Sequence, residues 1–133
     1  MPARVTVIDK ASATTVVDAQ QLDTVLREAT KEARSRGVLG AITIEGENGN
    51  SMTMVVGGSE TVLTFEYEHH NPPYHISKGV SETDEPILTC YLTFQHHSEF
   101  SRKNAIPYDE GAKAVAEFLD SGRLPANVNW EEI

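Results

Sequence analysis

The sequence predicts an α+β fold: an antiparallel sheet of five to six strands with two helices packed on one face, in a single domain spanning residues 1–133. Two observations lead there. Apolar residues recur at helical spacing near each end of the chain. Between these stretches, runs of alternating apolar and polar residues are separated by turns rich in Gly and Asn. Clean alternation implies a sheet with one buried side and one wetter side, as in antiparallel meanders. No repeat, low-complexity tract or linker divides the 133 residues, a length sufficient to bury a core.

From Asp18 onward, Leu22, Val25, Leu26, Ala29 and Ala33 fall on one helical stripe. Asp18 followed by Gln21 resembles a capping box, and Gly37 stands where a left-handed stop is expected. Lys31, Arg34 and Arg36 gather in the closing turns, where the helix dipole favours positive charge. The segment "GAITIE" then puts Ile42 and Ile44 on one strand face and Thr43 and Glu45 on the other. After the hairpin turn "EGENGNS", Met52, Met54 and Val56 alternate inward. "GGSE" turns the chain into a strand with Leu63, Phe65 and Tyr67 inside and Thr64, Glu66 and Glu68 outside. "NPPY" breaks the sheet, and "ILTCYLTFQH" places Leu88, Cys90, Leu92 and Phe94 on the inner face. Pro107 can open a second helix, with Asp109 and Glu110 in its first turn. Ala112, Val115, Phe118 and Leu119 form its stripe, Gly122 closes it, and an extended tail anchored by Trp130 follows.

Twenty acidic against eleven basic residues give a formal charge of −9, which repels nucleic acid and attracts a basic partner. No apolar run approaches the ~20 residues that span a bilayer, and the first ten residues lack an apolar signal region. A single cysteine excludes an internal disulfide and a multi-thiolate zinc site. These features point to a cytoplasmic protein with no membrane association.

The stretch "TFQHHSEF" raises the question of a metal centre. His97-x-Glu99 is half of the signature of zinc-dependent nucleobase deaminases, but the other half, Pro-Cys-x-x-Cys, is absent. Adjacent histidines on a strand, such as His96 and His97, project to opposite faces and cannot both ligate one ion without a bulge. One histidine of each pair, His69-His70 and His96-His97, could still converge with His75 on a metal. No nucleophile elbow is present, and no glycine-rich loop precedes a helix; the Gly pair of "VVGGSE" joins two strands and reads as a turn. Cys90, set among Leu88, Leu92 and Phe94, reads as an inert core thiol. Nothing here requires an enzyme or a cofactor. What remains is a surface: the outer face, with Thr43, Glu45, Thr53, Thr64, Glu66, Glu68, Thr89, Tyr91, Thr93 and Gln95, and the Pro-stiffened loop "EYEHHNPPYH".

The segment from Thr93 to Ile133 carries His97-Ser98-Glu99-Phe100, Ile106-Pro107, the helix around Ala114-Val115 and Phe118-Leu119, Gly122, Leu124-Pro125 and Trp130. In this pattern it resembles the first numbered family of immunity proteins from bacterial polymorphic toxin systems. "GGSETVLTF" and "PPYHISKG" extend it. The resemblance implies an intracellular antidote that binds a cognate toxin domain, a nucleic-acid cytidine deaminase, and blocks its active site. It implies no chemistry by the antidote itself. For such a partner the contact residues expected from charge, aromatic area and exposure are Glu66, Glu68, His69, His70, Tyr74, His75 and His97. Trp130, Pro125 and Phe118 are expected to pack. The competing readings are a small His-dependent metalloenzyme and an acidic adaptor module; monomer and dimer both stay open.

Overall fold

The computed structural model describes residues 3–7, 13–83, 85, 88–93 and 96–133, with backbone alone at positions 7, 70, 91–93, 96 and 97. In chain order the elements are β1 (Ala3–Val7), β2 (Ala13–Val16), α1 (Ala19–Ser35), β3 (Leu39–Gly46), β4 (Ser51–Val56), β5 (Glu60–Thr61), β6 (Leu63–Glu66), β7 (His75–Ser77), β8 (Leu88–Thr93), β9 (His96–Phe100), β10 (Ile106–Pro107), α2 (Tyr108–Ser121) and β11 (Trp130–Glu132). The class is α+β, as the periodicity predicts. The strand count is not: among the described residues, nine strands form one sheet, and β5 and β10 form a separate pair.

The sheet runs β11-β7-β6-β4-β3-β1-β2, and its pairs are antiparallel with one exception. At the start of β3, beyond the reach of β1, Leu39 and Gly40 pair in parallel with Cys90 and Tyr91 of β8, which carries β9 on its far side. β3 therefore serves three neighbours, because its eight residues outlast the five of β1.

Both helices cover one face. α1 begins where Asp18 accepts a hydrogen bond from the Gln21 amide at 2.8 Å. The Gln21 side chain reciprocates one residue further back, accepting from the Val17 amide at 2.9 Å. Leu22, Leu26, Ala29 and Ala33 of α1 and Ala114, Val115, Phe118 and Leu119 of α2 are buried. They meet Val5, Ile42, Ile44, Met52, Met54, Leu63 and Phe65 of the sheet in one core. Gly122, at φ +69°, ends α2 in the left-handed cap that glycine supplies most cheaply. The indole of Trp130 donates to the Pro125 carbonyl at 2.8 Å and its ring meets Phe65 edge-on, so both residues pack.

The other face is only partly wet, contrary to the expectation of one buried side. Ala41, Val55, Val62, Ile76, Cys90 and Ala105 form a second buried cluster, with Leu39, Leu88 and Phe100 against it. The Leu39–Cys90 register turns the Leu88/Cys90 side of β8 toward this outer cluster rather than the helix-covered core. The expected inner placement of Leu88 and Cys90 is thereby corrected; Phe94 lies outside the described residues, as does the side chain of Leu92. Two buried hydroxyls brace the region. Thr61 donates to the Val55 carbonyl at 2.7 Å, and Ser77 donates to the Asn104 carbonyl at 2.7 Å while accepting from the Leu63 amide at 3.0 Å.

An acid-rich groove at the β3–β4 hairpin

At the opposite end of β3 the outer face is open. Cross-strand register lines up Thr6, Thr43, Thr53 and Thr64 in one row and Arg4, Glu45, Ser51 and Glu66 in the next. Thr43 and Thr53 share a hydrogen bond of 3.2 Å between their hydroxyls. Past these rows the β3–β4 turn and the residues after β6 enclose a groove of about 460 Å³. Thr43, Glu45, Glu47, Asn48, Gly49, Ser51, Glu68 and His69 line it, so among the described residues three carboxylates and no Lys or Arg face its space. Arg4 lines an adjoining depression that shares Glu45 and Glu47, and marks the limit of the acidic zone.

Local sequence makes the groove rigid. Asn48 and Asn50 both donate side-chain N–H to the Gly122 carbonyl, each at 2.9 Å, which ties the hairpin to the end of α2. The Asn50 side-chain oxygen accepts from the Glu68 amide at 3.0 Å and fixes the far wall. Gly49, at φ +87°, has no room for a side chain: a Cβ there would lie 2.8 Å from the Glu68 Cβ. His69 also adopts a left-handed conformation, φ 61°, which is uncommon for a non-glycine residue.

The predicted contact residues divide. Glu68 and His69 line the groove, and Glu66 pairs across from Ser51, one of its lining residues. Glu68 does not continue the strand; β6 ends at Glu66 and Glu68 opens a short 3-10 turn, so the two do not share a strand face. The backbone of His70 belongs to the same turn, and its side chain lies outside the described residues. Tyr74 is half-buried just before β7, its carbonyl accepting from the Ile133 amide at 2.8 Å. His75 pairs with Phe65 and therefore points to the helix-covered face, its ring 6.3 Å from Phe65 and 6.0 Å from Tyr67. Its Nδ1 is buried and has no hydrogen-bond partner among the described residues. The His97 backbone pairs with Tyr91, which joins the start of β3, the end remote from the hairpin. His75 and His97 thus stand apart from the groove.

Glu47, Asn48 and Asn50 were not among the residues expected from sequence. The acids Glu45 and Glu47 within "EGENGNS" were the available signal, but only the return of the chain after β6 turns that hairpin into one wall of a groove. Among the described residues, no group of three or more His, Cys, Asp or Glu side chains is placed to hold a metal ion. No described helix is long and apolar enough to cross a membrane. The carboxylates are spread along a surface, which suits several cationic side chains of a partner better than one ion.

The sequence profile of a family described as immunity protein Imm1 matches residues 10–132. No curated protein matches the chain.

Proposed function

The chain belongs to the Imm1 immunity-protein family, and from that premise we propose that it neutralises its cognate toxin by stoichiometric occupation of the toxin's active-site cleft. The family assignment carries an immunity function and the binding of a toxin with it. On this proposal the toxin is a nucleic-acid cytidine deaminase and the two proteins meet in the cytoplasm.

The observation that carries the reading is the groove bounded by Glu45, Glu47 and Glu68, with Glu66 beside it. A toxin that holds nucleic acid presents a positive cleft to the phosphate backbone. An acidic groove with fixed walls offers that cleft a competing anion array, gaining association rate and orientation together. Rigidity matters because a hairpin and a Glu68 backbone already fixed through Asn48 and Asn50 lose less freedom on docking. Inhibition of this kind asks no catalysis of the antidote. Glu66, Glu68 and His69 form the centre of the proposed interface, with Tyr74 and His70 on its flank.

The test is reconstitution with the toxin domain encoded beside this chain. Co-purification and complete loss of deaminase activity at equimolar antidote are expected. A toxin of another chemistry, inhibited equally well, would remove the deaminase assignment and leave immunity intact. Toxin activity unaffected by a stoichiometric complex would remove the active-site mechanism.

A further inference from the structure

The chain's eleven basic residues are outnumbered by twenty acids, yet three of them line one pocket. Arg27, Lys31 and Arg34 repeat on α1 at intervals of four and three, which puts them on one helix face. Like charges at that spacing repel one another. The pocket, about 360 Å³, is completed by Thr30, Gly58 and Tyr108, so among the described residues no carboxylate lines it. It lies on the helix-covered side, at the end of β4 away from the β3–β4 hairpin, and is separate from the acidic groove.

Three features fit this pocket to an anion. First, the cations are available. Among the described residues Arg27 is engaged only by Asp23 at 2.8 Å, an exposed pair (81% and 58%) of the kind that contributes little and exchanges readily. Arg34 spends its Nε on the Gly57 carbonyl at 3.4 Å, a long contact, and Lys31 has no partner among the described residues. Second, two hydroxyls, Thr30 Oγ1 and Tyr108 Oη, stand 3.4 Å apart in the pocket, where each can donate to an oxyanion. Third, Gly58 completes the lining, so a ligand approaches backbone rather than side chain there. We infer that this pocket binds a small phosphorylated anion, a phosphomonoester or free phosphate, through Arg27, Lys31 and Arg34 with Thr30 and Tyr108 donating. Charge favours a dianion because three cations face one space. The overall charge of −9 disfavours a polymeric phosphate chain, which would run out over the acidic surface.

The test is an amide NMR titration of the whole chain with inorganic phosphate, with sodium chloride at matched ionic strength as the control. Saturable shifts confined to residues 27–34, 57–59 and 108 are expected. The double variant Lys31→Ala/Arg34→Ala, altered only at exposed helix positions, should keep a native spectrum and bind phosphate roughly tenfold more weakly. Tyr108→Phe should weaken it by a smaller factor. Shifts that match the chloride control, or that spread over the remaining Lys and Arg residues, would overturn the inference, as would unchanged affinity in the double variant. Adenosine monophosphate is expected to bind at least as well as phosphate if the ligand is a phosphomonoester, and more weakly if it is the free ion. A single-stranded oligonucleotide that binds more tightly than both would overturn the small-anion assignment. No readout involves the toxin, so failure here leaves the proposed function standing.

Discussion

A methyl group added at position 79 would overlap the Ala105 carbonyl oxygen and come within 3.2 Å of the Lys103 oxygen, which accepts from the Gly79 amide at 2.7 Å. Both obstacles are backbone, so rotamer changes cannot relieve them. Gly79→Ala is expected to destabilise the fold by about 3 kcal/mol, read from the midpoint of a urea transition. Gly49→Ala should be costly for two reasons, positive φ and the Glu68 Cβ, and should also disturb the groove wall. Cys90 shows a different kind of constraint. Burial lifts its thiol above the ordinary range, an effect that backbone hydrogen bonds at Ser98 and Cys90 only partly offset. Because the folded pKa lies above the unfolded one, the native chain keeps a proton that the unfolded chain releases in alkali. The stability from a neutral thiol is therefore complete below the unfolded pKa and is lost as pH rises through the folded value. Wild-type stability should fall more steeply than that of Cys90→Ala between neutral and alkaline pH, in urea titrations at each pH. Equal slopes would refute the linkage.

At the level of elements, legibility followed length. α1 could be read with its cap because seventeen residues repeat one stripe and Asp18 sits at its mouth. Asp18→Ala should cost about 1 kcal/mol of global stability by the same urea assay, whereas Thr24→Ala, on the exposed side, should cost far less. β3 and β4 were legible from alternation over eight and six residues. β1, β2, β7, β9 and β11 run three to five residues, too short for a period of two to stand out, and their pairing is a property of the assembled sheet. β8 shows the sharper limit. Alternation reveals that Leu88 and Cys90 share a side but not which face of the sheet that side meets; a branch from β3 decided it. A trace of the second cluster was present in the sequence. Ala41 opposite Ile42 and Val55 between Met54 and Val56 put small apolar residues on the nominally wet face, the mark of a sheet buried on both sides at that end.

For the whole molecule, charge was readable and its arrangement was not. Glu66, Glu68 and His69 could be nominated from exposure and type. Glu45 and Glu47 join them only because β6 pairs back along β4 and brings the following turn against the hairpin. If the groove meets a basic toxin, Glu66→Lys with Glu68→Lys should weaken the complex roughly tenfold or more and reduce the fall of affinity with salt. Unchanged affinity and an unchanged salt slope would move the interface elsewhere. The helix-side cation pocket divides the surface further, leaving one acidic and one basic region on opposite sides of the same sheet. The three-neighbour position of β3 has a last consequence, for cooperativity. One strand supplies Ile42 and Ile44 to the helix-side core and Ala41 to the outer cluster, so neither can melt while the other keeps its shape. The chain holds one tryptophan and one cysteine, Trp130 against the first cluster and Cys90 within the second, so fluorescence and thiol labelling act as twin reporters. Their unfolding curves should superimpose.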